Sequence, residues 1–176
     1  MRVARALTLL VLAIVACVSA HDSAQVPASR KSQLVHALKG DVDAMHALCY
    51  DFTYGKDGLR QSGEHARLWC AAAAERGNAS CQTLYAQLLD EGEGGPVDVT
   101  AAARWYAVAA GQGHVHALFM LGRMYAQGRG VPQDRMVADS LLGLAKQLGL
   151  AKQQGYDTTA ARDQDSYRSR RSRPKA

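Results

Sequence analysis

Glycines at 77, 113 and 149, Trp69, Trp105 and Leu141, and alanines at 73, 109 and 145 form three series on one 36-residue period and in one register. Repetition at that length constrains the fold more than any other feature of the chain, because three series in one register mark a repeat of supersecondary units. Each unit opens with apolar residues four apart: Ala44/Leu48/Phe52, then Cys81/Tyr85/Leu89, then Ala117/Leu121/Tyr125. That spacing places one stripe on one face of a helix, here termed helix A. A glycine-rich turn follows, GKDGLRQ, GEGGPVD or GRGVPQD, with one extra residue in the first unit. Its glycines can take positive φ, and Ser62, Asp98 or Asp134 can accept from free N–H groups at the next helix start. Helix B then carries Ala66, Trp69 and Ala73, with equivalents Ala102, Trp105 and Ala109, and Ala138, Leu141 and Ala145, and ends near the periodic glycine.

The unit is therefore an αα-hairpin, and the fold class is all-α. One amphipathic hairpin cannot bury its own face, whereas three stacked hairpins share a core and need polar caps at both ends. A composition of 48% apolar and 6% aromatic residues suits such an alanine-rich helical core. Trp69, Trp105, Phe52, Tyr85 and Tyr125 all recur on stripe positions, so they read as core and not as an aromatic ligand box. SQLVHALKG ahead of the first unit predicts an N-terminal capping helix. Three repeats are expected at 40–76, 77–112 and 113–149, after a linker and cap at 21–39. Residues 150–161 would cap or extend the stack, and 162–176 is expected to be a basic, disordered tail.

ALFMLGRMYAQGRGVPQD in the third unit and AARWYAVAAGQG in the second resemble the two halves of the Sel-one-like repeat, a relative of the tetratricopeptide repeat. The resemblance covers roughly residues 40–149 and implies a right-handed αα-hairpin solenoid. The first unit departs most, with Cys49 in place of the glycine after leucine and Trp69-Cys70 in place of Trp-Tyr.

Arg2 and Arg5 precede the run LTLLVLAIVACVSA, a basic segment followed by an apolar one too short for a comfortable membrane span. Residues 1–20 thus read as a secretion signal, with two competing cleavage sites. Val18-Ser19-Ala20 before His21 would release a soluble periplasmic protein, while Ile14-Val15-Ala16-Cys17 resembles a lipobox and would leave Cys17 lipidated. The net charge of +5 is uneven: residues 162–176 hold six basic and two acidic side chains, and the body is close to neutral. Export would place Cys49, Cys70 and Cys81 in an oxidising compartment, where one disulfide could form and one thiol would remain. Cys49 with Cys70 would join the two arms of one hairpin, and Cys70 with Cys81 would join helix B to the next helix A. Either pairing requires Cα atoms within roughly 7 Å. The alternative is small buried thiols, since Cys49 stands where later repeats have Ala86 and Gly122, and Cys81 where others have Ala44 and Ala117.

No Gly-x-Ser-x-Gly, His-Glu-x-x-His or Cys-x-x-Cys occurs, and the one Ser-x-x-Lys, Ser172 to Lys175, lies in the tail. His114 and His116, with His46 and Asp43 at matching places, have weak metal-ligand spacing and read better as side chains lining a face or bonding backbone. No catalytic residue, metal or cofactor is expected. In tetratricopeptide-like stacks helix A lines a concave groove, and the resemblance carries that face onto Asp43, His46, Tyr50 and Tyr54, then Thr83, Gln87 and Asp90, then His116, Phe119 and Arg123. Such a mixture suits aromatic anchors and specific hydrogen bonds.

The expected function is a non-enzymatic adaptor of the cell envelope that captures a protein or peptide segment. Its tail would add attraction to an anionic polymer or lipid, and nucleic acid is excluded by the exported location. The rival readings are an envelope enzyme acting on peptidoglycan and a purely structural scaffold.

Overall fold

The computed structural model describes residues 28–56 and 59–153. The expected signal with Cys17, the basic tail with Ser172 and Lys175, and residues 154–161 lie outside them. The described residues form seven helices and no strand: α1 (Ala28–Leu38), α2 (Val42–Tyr54), α3 (Gly63–Glu75), α4 (Ala79–Glu91), α5 (Val99–Gly111), α6 (Val115–Gln127) and α7 (Arg135–Gln153). Each helix packs on the next in chain order, so α1 covers the N-terminal end of three hairpins, α2/α3, α4/α5 and α6/α7. Two clusters fill the stack. One joins Met45, Leu48, Phe52, Trp69 and Cys70 to Cys81 and Leu88, and the other joins Ala86, Leu89 and Tyr106 to Leu121 and Met124.

The helix boundaries follow from the turn chemistry. Ser62, Asp98 and Asp134 each accept a backbone N–H three residues on, from His65, Ala101 and Val137. Asp41 and Asn78 cap α2 and α4 in the same way. Gly55, Gly92 and Gly128 end each helix A in the left-handed conformation, with φ of 64°, 72° and 66°. The second glycine of the turn does more: a Cβ on Gly94 would run into the carbonyl of Gly63, and one on Gly130 would lie 2.5 Å from Val99 O. These two turns thus rest their backbone directly on the start of the preceding helix B.

The periodic glycine behaves differently at the end of the stack. Gly77 and Gly113 take φ of 90° and 76° and reverse the chain, but Gly149 lies inside α7, which continues to Gln153. The sequence expectation of a helix end there fails for a physical reason. A left-handed residue is needed only where helix B must turn back into another helix A, and Leu150-Ala151-Lys152-Gln153 instead favours continuation. The repeat positions of Ala103 and Ala110 are taken in α7 by Asp139 and Lys146, both exposed, so the outer surface of the last helix is mixed, these charges standing beside the exposed Met136 and Leu144.

Cys49 and Cys70 form a disulfide with Cα atoms 4.9 Å apart, joining α2 to α3. Of the sequence's alternatives this is the pairing within one hairpin. Its place in the repeat explains it. The equivalents of Cys49 are Ala86 and Gly122, and those of Cys70 are Tyr106 and Leu142. In the third repeat a Cβ on Gly122 would meet Leu142 Cγ at 2.9 Å. Where later hairpins set a small residue against a large one, the first sets two cysteines and closes the contact covalently.

Candidate functional site

Helix A side chains off the core stripe fall in register from repeat to repeat: His46, Thr83 and Phe119; Tyr50, Gln87 and Arg123; Tyr54, Glu91 and Gln127. The α2 end is aromatic. The Tyr50 and Tyr54 rings lie 4.5 Å apart, and the Lys56 ammonium sits 4.5 Å above the Tyr50 ring while donating to its hydroxyl at 3.0 Å. Asp43 is exposed in the first turn of α2, and His46 is half-buried one turn on. Burial pushes the His46 imidazole below its ordinary pKa, against the opposing pull of Asp43.

The middle repeat contributes less surface than its sequence suggests. Thr83 is buried, donates to Ala79 O at 2.9 Å and lies 2.9 Å from His114 Nδ1, so it ties α4 to the start of α6. Asp90 is only 7% exposed and is ion-paired with Arg129 at 3.0 Å. Burial raises the Asp90 carboxyl above the usual carboxylate range, and Arg129 opposes that rise. Both residues hold neighbouring repeats together and offer almost nothing to a partner. Gln87, half-buried, donates to Glu91 Oε1 at 3.4 Å and is the polar step between the first and third repeats.

At the α6 end Phe119 is 44% exposed and the Arg123 guanidinium stands 5.9 Å from its ring centroid. His116, one turn before, is pushed below its ordinary pKa by burial first and by Arg123 second. Asp43, His46, Tyr50, Tyr54, Gln87, His116, Phe119 and Arg123 therefore supply the accessible surface of this face. Lys56 and Arg129 escaped the sequence reading, because both act from turns after helix A, where the helical period gives no register.

His114 and His116 do not converge with His46 and Asp43, and among the described residues no group of three or more His, Cys, Asp or Glu side chains could hold a metal ion. No described helix is long and apolar enough to cross a membrane. The remaining thiol, Cys81, is fully buried in the first core cluster, and burial pushes its pKa up to about 12. A thiol so held has almost no thiolate at neutral pH and no path for a reagent. Ellman's reagent added to the folded, oxidised protein is therefore expected to titrate no sulfur from the repeats until denaturant unfolds them. Prompt release of one equivalent from Cys81 would contradict the packing.

The Sel1 repeat model matches residues 42–78, 79–114 and 115–150. No curated protein matches the chain. Among solved structures, the fold is similar to a Sel1 repeat protein from Oxalobacter formigenes, with 28% identity and a TM-score of 0.63 over 72% of this chain and 94% of that one. It is also similar, with 28% identity and a TM-score of 0.62 over 64% of this chain, to a protective antigen of uropathogenic Escherichia coli displaying an SLR fold. The matched region spans only 24% of that antigen, about a quarter of its length. The three consecutive matches cover well over half of the sequence, place one αα-hairpin in each repeat, and show that the chain belongs to the Sel1 repeat family.

Proposed function

We propose that this protein is a cell-envelope adaptor that captures a protein or peptide segment on the face formed by α2, α4 and α6. Sel1 repeat proteins are in general protein-interaction scaffolds. The observation that carries the reading is the run of register-matched helix A side chains that ends at each side in an aromatic ring with a cation against it, Tyr50 with Lys56 and Phe119 with Arg123. Rigid aromatic and arginine side chains supply most binding energy at protein interfaces, because they cover much surface for little lost side-chain freedom. An extended segment crossing the three helices would meet aromatic surface, the Gln87 amide and then a guanidinium. The envelope location is supported by the leading basic and apolar segment and by a disulfide of the kind that oxidising compartments permit. The basic tail would add electrostatic avidity toward an anionic polymer or lipid surface.

The test is a crosslinked pull-down from the native envelope with three forms of the protein. These are the full chain, a variant with His46, Tyr50, Phe119 and Arg123 all changed to alanine, and a truncation after Ala161. The expected result is a partner lost with the groove variant and retained by the truncation. A partner that survives the four substitutions overturns the groove assignment, and one lost only on truncation moves recognition to the tail.

A further inference from the structure

Resting on that groove reading, we infer that the segment captured is acidic: an extended peptide whose carboxylate side chain pairs with Arg123 while a neighbouring apolar side chain covers Phe119. The third repeat is the part of the face where charge and apolar surface are both exposed and both unspent. Phe119 is one of the few large apolar side chains of the described residues left substantially open, at 44%. Arg123 is exposed, and among the described residues its guanidinium has neither an ion pair nor a hydrogen bond; it stands 5.9 Å from the Phe119 ring centroid. The buried acid Asp90 feels the Arg123 charge only at a distance and is ion-paired instead with Arg129 at 3.0 Å, and Glu91 receives the Gln87 amide at 3.4 Å. His116 also feels the Arg123 charge, since its imidazole is lowered by that guanidinium as well as by burial.

The geometry selects the ligand chemistry. A guanidinium lying against an aromatic ring loses some of its freedom, and its planar N–H edge stays open to receive both oxygens of a carboxylate. An ammonium approaching the same place would meet like charge and an aromatic ring already occupied by Arg123. Helix axes in such stacks lie roughly 10 Å apart, so an extended chain at about 3.3 Å per residue needs roughly six residues to pass from the Tyr50 side to Arg123. An octapeptide is therefore a sufficient probe.

The experiment uses the purified oxidised protein on an array of octapeptides in which one position is fixed as Asp, Glu, Lys or Arg and the others are randomised among uncharged residues. The acidic series is expected to retain the wild-type protein at least tenfold better than the basic series. Arg123→Glu should invert that preference, and Arg123→Gln should abolish it. Arg104→Glu, on exposed α5 surface, should leave it unchanged and so controls for net charge. Equal retention of the acidic and basic series, no retention of either, or an acidic preference that persists in Arg123→Glu overturns the inference. The groove reading is judged separately by the pull-down, so a groove-dependent partner without an acidic preference would refute only the charge assignment.

Discussion

Replacing Cys49 and Cys70 together by alanine is expected to lower the free energy of unfolding by about 3 kcal/mol, the entropy of a closed loop of roughly twenty residues released into the unfolded chain. Alanine leaves no polar group in a site that is fully buried; Ala86 already fills the place of Cys49 in the second repeat, while at Cys70, where later repeats carry Tyr106 and Leu142, it leaves a small void that adds to the loss. The loss should be uneven. In a stack each hairpin is held by its own contacts and those of its neighbours, so the end repeat that loses its crosslink loosens first. Amide exchange should rise most in α2 and α3 and least in α6 and α7. Reducing the wild-type protein should reproduce the same pattern of exchange, with a loss no larger than that of the double variant. Cys81 does not complicate the comparison: with its pKa near 12 and no exposure, it cannot attack the disulfide while the fold is intact. Urea unfolding with and without reductant is the measurement, and midpoints that coincide would show that the bond adds nothing to the hairpin.

The sequence made the hairpins legible because packing repeats what it needs: Trp69 and Trp105, Ala73 and Ala109, and the helix A stripes are all places where a neighbouring helix must be met. The capping residues were legible for a local reason, since an oxygen-bearing side chain at the start of each helix B satisfies N–H groups that no other residue can reach. The periodic pattern misled at Gly149, where the residue is conserved within the series but the following helix that would demand its conformation is missing from the described residues. The choice among cysteine pairings was also beyond the sequence. Cys70 lies on helix B between its own helix A and the next, and only the facing of small against large residues at Ala86/Tyr106 and Gly122/Leu142 shows which neighbour it meets.

The exposed side of the A helices was legible as a face and less so as individual side chains. Tyr50, Gln87 and Arg123 stand at one repeat position and remain accessible, but Thr83 and Asp90 share the same helices and are drawn inward by partners in the next repeat, His114 and Arg129. Those partners come from turns, at sequence separations of 31 and 39 residues, so no local pattern announces them. Polar residues on a helix face that abuts another repeat are divided between accessible surface and inter-repeat fastening by contacts that only the packed stack reveals.

Close backbone contact also sets the second large effect, at the glycines of the turns. Gly77→Ala is expected to cost about 1 kcal/mol, because its φ of 90° strains a Cβ but nothing lies within 4 Å of it. Gly94→Ala carries a comparable strain at φ 73° and adds a clash with the Gly63 carbonyl and the Glu64 amide, backbone atoms that cannot rotate away. Moving the second hairpin off the first is the only relief, and it would open the contact between α3 and α4, so a loss of about 3 kcal/mol or more is expected. Gly130→Ala should behave alike, with Val99 O at 2.5 Å from the new carbon. Gly63→Ala should be milder than Gly94→Ala although it faces the same contact, since Val99 occupies the equivalent place beside Gly130 and shows that a side chain can be carried on that side of the junction. Urea midpoints of the four variants test the order. If Gly94→Ala proves no worse than Gly77→Ala, the turns are not seated on the preceding helices, and the glycine pair serves only to turn the chain.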